Sequence, residues 1–495
     1  MKPVPRRGPG PRPAGGRDDR LPRPPRGRRP AIDPAREAAY EAVAAVHRDD
    51  AYANLVLPRL LRENGVSGRD AAFATELTYG TLRQTGTLDA IVAAAADRPM
   101  DRIDPPVRDA LRIGAYQLLH MRVGAHAAVA TTVDLVRSLV PGAAGFANAV
   151  LRRVGEADRD AWLERLVRQG LEGREGTEGS QAAADPVARA ALVHAHPRWI
   201  VNAFADALGS LDEAEQALDA DNLPPPVHLC ARPGRIAPAD LAASLPGAVV
   251  GRYSPYAVVL AGGGDPASIP AIREGLAHVQ DEGSQLVASV LAGAPVSGAD
   301  ERWLDLCAGP GGKAGLLGAL AAERGAHVTA VEVAHHRAAL VAQATRGLPV
   351  YTINADGRDV GKDPDLPAGA FDRVLVDAPC TGLGALRRRP EARWRRQPSD
   401  LPPLTRLQRE LLQAAFQAVR PGGVVAYVTC SPHQAETEVS VTEAARRSSI
   451  DVDLVDARPY LPPSLPETGS GPTVQLWPHR HGTDAMFVAL LRRGA

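Results

Sequence analysis

The 495-residue chain carries 57 basic and 57 acidic side chains, so its zero formal net charge gives no argument for a nucleic-acid partner, and such an argument must come from local clusters. A chain of this length predicts about three domains. No run approaches the roughly 18 apolar residues that a membrane span needs, and the basic amino terminus lacks the apolar core of a secretion signal, so we expect a soluble, cytoplasmic protein.

The amino-terminal part of the chain predicts a tail, a helical domain and a linker. Residues 1–32 are rich in Pro, Gly and Arg and too poor in apolar side chains to fold, so we expect them to be disordered. Residues 33–155 place apolar side chains three and four positions apart, which predicts an all-helical domain. Residues 156–190 contain a short amphipathic stretch and a Gly/Glu-rich run, and they are interpreted as a linker.

Two further domains are predicted after the linker. Residues 191–280 combine a helical pattern over 199–218 with short strand-like runs, which is typical of a small α+β domain. In residues 281–495, buried-strand runs alternate with segments of helix length, which predicts a parallel, doubly wound α/β sheet. Ligands of such sheets bind at the carboxyl ends of the strands.

A Gly-rich turn follows the first predicted strand of this sheet, 303–306. It comprises Cys307, Ala308, Gly309, Pro310, Gly311, Gly312 and Lys313. An ATP-binding P-loop is disfavoured because Cys307 and Ala314 stand where that motif needs Gly and Ser or Thr. The turn fits either a dinucleotide or S-adenosylmethionine, since both present an adenosine whose ribose Glu332, at the end of the next strand, can bind. A tight turn without a ligand is a further alternative.

Acids and cysteines follow the next predicted strands. Asp356 ends the third strand region, Asp377 and Cys380 follow the fourth, and Cys430 follows the fifth. Since parallel strands end at one edge of a sheet, we expect these side chains to line one cleft beside the Gly-rich turn. Cys230, by contrast, is interpreted as core packing. The cysteines form no CxxC pair, and no metal site is predicted.

Two cysteines in one cleft suggest covalent chemistry on a cytosine. A thiolate that adds to carbon 6 makes carbon 5 electron-rich enough to attack a sulfonium methyl group. The adduct needs an acid near the ring nitrogen and amine, which we assign to Asp377, and a second cysteine can assist elimination. The pattern does not decide whether Cys380 or Cys430 is the nucleophile.

A basic cluster with a Trp among its arginines lies just beyond Cys380. Its members are Arg387, Arg388, Arg389, Arg393, Trp394, Arg395 and Arg396. Beside an active site, such side chains are typical of contacts with RNA phosphates and of stacking on an unpaired base. A solvated helix face is the alternative.

Together these motifs resemble the Sun/RsmB family of ribosomal RNA cytosine-C5 methyltransferases, over nearly the whole chain from about Asp33. Residues 69–83 and 145–153 are similar to a NusB-type RNA-binding fold, and 279–285 to the segment that enters the family's catalytic domain. The chain departs from the family at Gly309, where Ala is more usual, and at Glu332, where Asp is commoner. The resemblance implies a multidomain protein with an all-α NusB-like domain, a small α+β domain and a Rossmann-like class I methyltransferase domain.

The resemblance also implies roles for individual residues. The turn 307–313, together with Glu332, Asp356 and Asp377, is expected to bind S-adenosylmethionine. Cys430 is expected to be the nucleophile and Cys380 to assist release of the product. The implied partner is small-subunit ribosomal RNA, and a monomer is expected.

Two other functions stay open from the sequence. An NAD-dependent oxidoreductase is suggested by the loose dinucleotide fingerprint, but it leaves Cys380, Cys430 and the arginines unexplained. A non-catalytic RNA-binding or transcription factor is suggested by the NusB-like half, and the intact methyl-transfer motifs argue against it.

Overall fold

The computed structural model of the protein describes residues 32–172, 185–262 and 264–494, with the side chains of 169–172 left out. The predicted tail, except Ile32, and residues 173–184 of the predicted linker lie outside this part of the chain. In the described residues, no helix is both long enough and apolar enough to cross a membrane.

The first domain is a bundle of helices. Its first helix starts at Pro34, directly after Asp33, whose carboxylate accepts a hydrogen bond from the Ala35 N–H at 3.0 Å and so caps the helix. The helices are α1 (Pro34–Arg48), α2 (Ala53–Glu63), α3 (Gly68–Arg83), α4 (Thr85–Ala96), α5 (Pro105–His120), α6 (Ala125–Leu139), α7 (Ala144–Val154) and α8 (Arg159–Glu172). Their apolar faces meet in one core, as the helical periodicity predicts.

Helix α8 corrects the prediction that residues 156–190 are a linker throughout. Trp162 of α8 is buried in the core of the bundle, where its indole N–H donates to the Val154 carbonyl at 2.9 Å. A further helix, α9 (Pro186–Val193), begins within the same segment and buries Ala190. The amphipathic stretch therefore extends the bundle, because its aromatic side chain has an apolar core to enter.

The middle region contains two packing groups. Helices α9, α10 (Arg198–Leu208) and α11 (Leu211–Asp221) pack against the carboxyl-terminal domain at Leu383, Leu386 and Trp477. The helical pattern predicted over 199–218 is thus two helices, because Gly209 adopts a φ of 70° and the Ser210 hydroxyl caps α11.

The second packing group of this region is a small antiparallel sheet with two short helices. Its elements are β1 (His228–Ala231), α12 (Pro238–Ala243), β2 (Val249–Val250), β3 (Ala257–Val259), α13 (Pro270–Arg273) and β4 (Ala277–Val279). The strand order is β2-β3-β1-β4, which places β4 at an edge. This edge strand leads into the first helix of the carboxyl-terminal domain.

The carboxyl-terminal domain is a mixed sheet covered by helices on both faces. Its helices are α14 (Glu282–Gly293), α15 (Gly312–Glu323), α16 (His335–Ala344), α17 (Ala392–Arg395), α18 (Leu401–Ala418), α19 (Glu438–Arg447) and α20 (Pro478–His481). Its strands are β5 (Arg302–Asp305), β6 (His327–Val331), β7 (Val350–Ile353), β8 (Phe371–Asp377), β9 (Val419–Thr429), β10 (Val452–Val455), β11 (Val474–Gln475) and β12 (Phe487–Arg493).

The sheet is parallel only in part. Its strand order is β10-β12-β9-β8-β5-β6-β7, and the five strands from β9 to β7 are parallel, as predicted. Strand β12 runs antiparallel to both β9 and β10, so the prediction of a wholly parallel sheet is wrong at this edge. The reason is that residues 452–493, all of which the structure describes, contain the four-residue α20 as their only α-helix and no long crossover helix, and strands joined in this way pair antiparallel.

Alternate residues of the central strands enter two cores on opposite faces of the sheet. In β9, Val425 and Tyr427 pack on one face, whereas Val424, Ala426 and Val428 pack on the other. With both faces covered, the edge at which the parallel strands end is where a ligand can reach the backbone.

Candidate active site

The candidate site lies along the carboxyl ends of the parallel strands. The Gly-rich turn follows β5, Glu332 follows β6, and Asp356 lies three residues after β7. Asp377 ends β8, and Cys430 directly follows β9. Because these strands are neighbours in the order β9-β8-β5-β6-β7, the structure brings the predicted site residues to one edge of the sheet.

The Gly-rich turn exposes backbone at the start of α15. Gly311, the residue before the helix, adopts a φ of 111°, and a Cβ there would lie 2.7 Å from the Ala344 Cβ. Only glycine meets both conditions without strain. The amino terminus of α15 therefore has free N–H groups that can face a polar ligand.

Gly309 and Glu332 are in direct contact. The Glu332 carboxylate is buried, with one oxygen accepting from the Gly309 N–H at 3.1 Å and the other from the Ala334 N–H at 2.9 Å. A Cβ at position 309 would lie 2.1 Å from Glu332 Oε2. The two departures from the family pattern are therefore one structural feature: the longer Glu at 332 occupies space that the absence of a side chain at 309 leaves free.

Asp305 is a site residue that the sequence analysis missed. It is fully buried at the end of β5, where Oδ1 accepts from the Cys307 N–H at 3.2 Å and Oδ2 has no hydrogen-bond partner. Burial, together with the charge of Asp377, raises the pKa of Asp305 to about 7. A buried acceptor without a partner beneath a ligand-binding turn fits a ligand that carries a donor group. Its position directly before the turn is the signal that could have identified it.

Lys313 and Asp377 form an ion pair that links the Gly-rich turn to β8. Lys313 Nζ lies 2.8 Å from Asp377 Oδ2. Burial alone would lower the pKa of Lys313, but the Asp377 carboxylate outweighs it and holds that pKa above its ordinary value. The ammonium group is therefore charged, and it is one of the charges that act on Cys430.

The two candidate cysteines are in contact. Cys380 Sγ and Cys430 Sγ lie 3.5 Å apart, as free thiols. The hydrogen bond between them lowers the pKa of Cys430 and raises that of Cys380. The positive charges of Lys313 and Arg389 also lower the pKa of Cys430, whereas burial and the Glu436 carboxylate also raise that of Cys380. Although burial and the Asp377 charge act against this lowering, the site makes Cys430 the more acidic of the two thiols.

Cys307 does not share this environment. Burial, followed by the charges of Asp305 and Asp377, raises the pKa of Cys307 well above its ordinary value. A protonated, desolvated thiol is a poor nucleophile, which sets Cys307 apart from Cys430.

The small sheet of the middle region supports the Gly-rich turn from outside. His278 of β4 lies with Nε2 3.0 Å from the Gly312 carbonyl oxygen and 2.8 Å from Gln280 Oε1. Burial lowers the pKa of His278 to about 4, so the neutral ring donates its Nε2–H to these acceptors. Arg232 also donates to the Ala344 carbonyl at the end of α16. The sequence analysis did not identify this support, because it joins residues of two different regions.

The arginine cluster is largely structural, which corrects its assignment as an RNA contact. Arg393 is completely buried between the first domain and the middle region. Its guanidinium donates to the Arg83 carbonyl and to Asn222 Oδ1, both at 2.7 Å, and to the Asp221 carbonyl at 2.8 Å. A side chain with no exposed atoms and three protein partners is not available to a phosphate.

Arg387 and Arg388 are held by the same two carboxylates. Arg387 pairs with Asp484 at 2.8 Å and with Asp281 at 3.2 Å, and Arg388 pairs with them at 3.0 and 2.6 Å. Arg387 is buried and Arg388 is half-buried. The charge of this pair of arginines is therefore neutralised within the protein.

The remaining members of the cluster face the first domain and solvent. Arg395 donates to the carbonyl oxygens of Val46 and Ala51 at 2.8 and 2.5 Å. Trp394 is 40% exposed, and a Cβ at Gly86 would lie 2.4 Å from its ring, so it packs on the start of α4. Arg389 is exposed, and Arg396 is half-buried with Asp400 at 3.9 Å. Arg389, Trp394 and Arg396 therefore remain accessible to a ligand.

The residues at the strand ends fit S-adenosylmethionine. The turn supplies backbone N–H groups, and Asp305 supplies a buried oxygen without a partner for the amino group of the cofactor. Asp356 is half-buried at the end of β7, and both of its carboxylate oxygens accept from Arg358, so a ligand there would share these oxygens with the guanidinium. Glu332 has both oxygens bonded to backbone N–H groups, and a ribose would use their remaining lone pairs.

Comparison with known proteins gives family matches to two parts of the chain. A family described as 16S rRNA methyltransferase RsmB/F matches residues 293–492, and the NusB family matches residues 33–156. A protein of Mycobacterium tuberculosis H37Rv that is named as a methyltransferase is 57% identical over 468 residues, 94% of this chain and 98% of that protein. The ribosomal RNA small subunit methyltransferase B of Pseudomonas putida is 36% identical over 420 residues, 83% of this chain and 89% of that protein.

Solved structures match the fold over much of the chain. The crystal structure of PH0851 superposes with a TM-score of 0.75 at 22% identity and covers 93% of this chain and 99% of that one. NSun6 from Pyrococcus horikoshii, solved with the S-adenosylmethionine analogue SFG, superposes with a TM-score of 0.51 at 18% identity, covering 61% of this chain and 100% of that one. At these identities the likeness is one of fold.

Proposed function

The chain belongs to the RsmB/F family of 16S rRNA methyltransferases, which makes it an S-adenosylmethionine-dependent rRNA methyltransferase, and on that premise we propose that it methylates carbon 5 of a cytosine in small-subunit rRNA through a covalent adduct with Cys430. Family membership removes the support for an oxidoreductase and for a non-catalytic RNA-binding factor. The contact between Cys380 and Cys430, 3.5 Å apart at the ends of neighbouring strands, carries the proposal of a cysteine adduct.

Cofactor binding is assigned to the strand ends of the sheet. The turn 307–313 and Asp305 would hold the methionine part, and Glu332 and Asp356 would bind the adenosine. When bound, S-adenosylmethionine supplies an electrophilic methyl group on a sulfonium. The ion pair between Lys313 and Asp377 fixes the turn against β8, between the cofactor side of the site and the cysteines.

Cys430 is the proposed nucleophile. Its sulfur adds to carbon 6 of the cytosine, and carbon 5 then carries the electron density that attacks a methyl group. The lowered pKa of Cys430 increases the fraction of thiolate available for this step. Asp377, in its ion pair with Lys313, is placed to bind the ring nitrogen and amine and so to stabilise the adduct.

Cys380 is proposed to assist release of the product. A water molecule acting as a base takes the proton from carbon 5, and the electron pair of that C–H bond forms the double bond between carbons 5 and 6. The bond between carbon 6 and the Cys430 sulfur then breaks, and the sulfur leaves as a thiolate. The Cys380 thiol, 3.5 Å away, can donate a hydrogen bond to that leaving thiolate. The raised pKa of Cys380 keeps it protonated for this role.

RNA binding follows from family membership and from the NusB-like domain. We assign the RNA contacts of the catalytic side to Arg389, Trp394 and Arg396, the accessible members of the arginine cluster. Arg389 is near enough to Cys430 to lower the pKa of its thiol, which supports a path for RNA from Arg389 into the site. The monomeric state stays a prediction.

The test is methyl transfer from labelled S-adenosylmethionine to unmodified small-subunit rRNA, with the nucleosides of the product resolved by mass spectrometry. We expect label in 5-methylcytidine with the wild-type protein and none with Cys430→Ala. Label in a different nucleoside would contradict cytosine C5 as the target while leaving methyl transfer intact. Equal labelling by wild type and Cys430→Ala would contradict the adduct.

A further inference from the structure

A buried polar network lies behind the two cysteines. Its centre is the carboxylate of Glu436, which is fully buried six residues after Cys430. Neither the methyl-transfer chemistry nor the cofactor site uses this acid. A buried carboxylate is stabilised only by specific partners, so its partners indicate its role.

The Glu436 carboxylate binds the loop of Cys380 at the residue that follows the cysteine. One oxygen accepts from the Thr381 N–H at 2.8 Å, and the other accepts from the Thr381 hydroxyl. Both groups of Thr381 are buried, so water does not replace these bonds. The carboxylate therefore fixes both the backbone and the side chain of Thr381.

Gln408 binds the residue that precedes the same cysteine. Its amide nitrogen donates to the Pro379 carbonyl at 2.9 Å and to Glu436 Oε1 at 3.1 Å. The residues before and after Cys380 are thus held by two side chains that bind each other. Both Gln408 and Glu436 are fully buried, which leaves the Cys380 loop little freedom to move.

The same network reaches the loop of Cys430. The Thr381 hydroxyl lies 3.3 Å from the hydroxyl of Ser431, the residue after Cys430, and the Gly384 N–H donates to the Cys430 carbonyl at 2.9 Å. The backbone carbonyl of Glu436 accepts a hydrogen bond from the Tyr427 hydroxyl at 2.8 Å, which connects Glu436 to β9. The two cysteine loops are therefore joined through Thr381 and Glu436.

We propose that Glu436 is a positioning residue of the methyl-transfer reaction, which through Thr381 and Gln408 holds the Cys380 loop against the Cys430 loop and makes the two thiols unequal. The inference rests on the proposed function, because it gives the cysteines their two roles. Glu436 is fully buried with both carboxylate oxygens bonded to Thr381, so we assign it no direct contact with RNA or cofactor. It acts by keeping the two sulfur atoms in contact and by placing a negative charge on the Cys380 side.

The first test compares Glu436→Gln with Glu438→Gln. Glu438 is a matched control because it is a nearby, exposed Glu whose carboxylate, among the described residues, accepts a hydrogen bond only from Thr473. We expect Glu436→Gln to lower kcat for methyl transfer about 10- to 100-fold while the KM for RNA and the Kd for cofactor change less than about threefold. Glu438→Gln should match the wild type. An unchanged kcat for Glu436→Gln would overturn the proposal.

The second test measures the two thiols without methyl transfer. Iodoacetamide is added to the cofactor-free protein, and mass spectrometry of peptides gives the rates of alkylation at Cys430 and at Cys380. We expect the wild type to react faster at Cys430, and Glu436→Gln to lower the ratio of the two rates about tenfold, because the carboxylate that fixes the Cys380 loop and adds to the raised pKa of Cys380 is gone. If Glu436→Gln lowers kcat and the melting temperature but leaves this ratio unchanged, Glu436 supports the fold alone and the proposal is wrong.

A pair of Thr381 variants tests the network if Glu436→Gln does not fold. Thr381→Ser keeps the hydroxyl and is expected to retain the wild-type kcat, whereas Thr381→Val loses it and should lower kcat about tenfold. Equal kcat values for the two would overturn the proposal. A wild-type protein that makes no 5-methylcytidine would instead contradict the proposed function, and the alkylation ratio would still test whether Glu436 sets the difference between the thiols.

Discussion

The Gly-rich turn and the arginine cluster are both short motifs beside the same site, yet the sequence predicted them with different success. Residues 307–311 of the turn lie between β5 and α15, and Gly312 and Lys313 form the first residues of α15, as the strand-turn-helix pattern predicts. In the arginine cluster, Arg393 and Arg387 are buried and bound by protein groups, although the pattern predicted contacts with RNA.

The difference lies in where the partners come from. A turn between a strand and a helix is determined by its own backbone, so neighbours in the sequence suffice to predict it. An arginine can neutralise a phosphate or a carboxylate equally well. The carboxylates here, Asp281 and Asp484, each lie about 100 positions from Arg387 and about 200 positions from each other, so no local sequence pattern identifies them as its partners. The sequence therefore predicts where charged residues cluster, but it does not predict which groups they bind.

The largest loss of activity is expected from removing the cysteines that follow the strand ends beside both motifs. We expect Cys430→Ala to lower methyl transfer by about a thousandfold or more, because the proposed nucleophile is lost. Cys380→Ala should leave the enzyme covalently bound to RNA, since release is impaired. A denaturing gel of protein with labelled RNA measures the adduct. An adduct that accumulates with Cys430→Ala and is absent with Cys380→Ala would reverse the two roles.

Two substitutions within the arginine cluster test whether its buried and exposed members have different roles. Arg393→Ala removes three hydrogen bonds to buried groups, so we expect the free energy of unfolding to fall by about 3 kcal/mol or more. Arg389→Ala, at an exposed position, should change it by less than about 0.5 kcal/mol and weaken RNA binding severalfold at low salt. Urea denaturation and RNA titration measure the two effects. If the two variants lose the same free energy of unfolding, the cluster is not divided into a structural Arg393 and an accessible Arg389.

The contact between Gly309 and Glu332 tests how far the turn is determined locally. Gly309→Ala places a Cβ against the Glu332 carboxylate, so we expect the Kd for S-adenosylmethionine to rise about 10-fold or more. Adding Glu332→Asp shortens the acid and should restore most of the affinity, a coupling of about 1–2 kcal/mol. Calorimetric titration of the two single variants and the double variant measures it. Additive effects would mean that the two positions are independent.

The smallest expected effect concerns the pH dependence of Cys430. Its pKa is held below the ordinary thiol value of 9.0, and a thiolate reacts whereas a thiol does not, so alkylation should slow as the pH falls through that lowered pKa. Lys313→Met removes a charge that favours the thiolate, so the midpoint should move upward by about one pH unit. Lys313→Arg keeps the charge and is the control. A midpoint that does not move with Lys313→Met would exclude the ammonium as a cause.

The fold and the chemistry of the site could be predicted to different depths. The helical domain and the α/β sheet with its acids and cysteines at strand ends follow from periodicity and from strand-to-turn transitions. The antiparallel β12, the extension of the bundle by Trp162 and the support of the turn by His278 do not, because each depends on a partner far along the chain. Asp305 was missed for another reason: an acid that ends a buried strand looks like an ordinary turn residue until its burial is known.

Strand β12 has a consequence for the order in which the enzyme matures during synthesis. It lies between β9 and β10, and its residue Phe487 pairs with Thr429, which directly precedes Cys430. The Cys430 loop therefore lacks its neighbouring strand until residues 487–493 have left the ribosome. A chain whose translation stops before β12 has the cofactor turn and both cysteines but an incomplete sheet beside them, so we expect such partial translation products to be inactive.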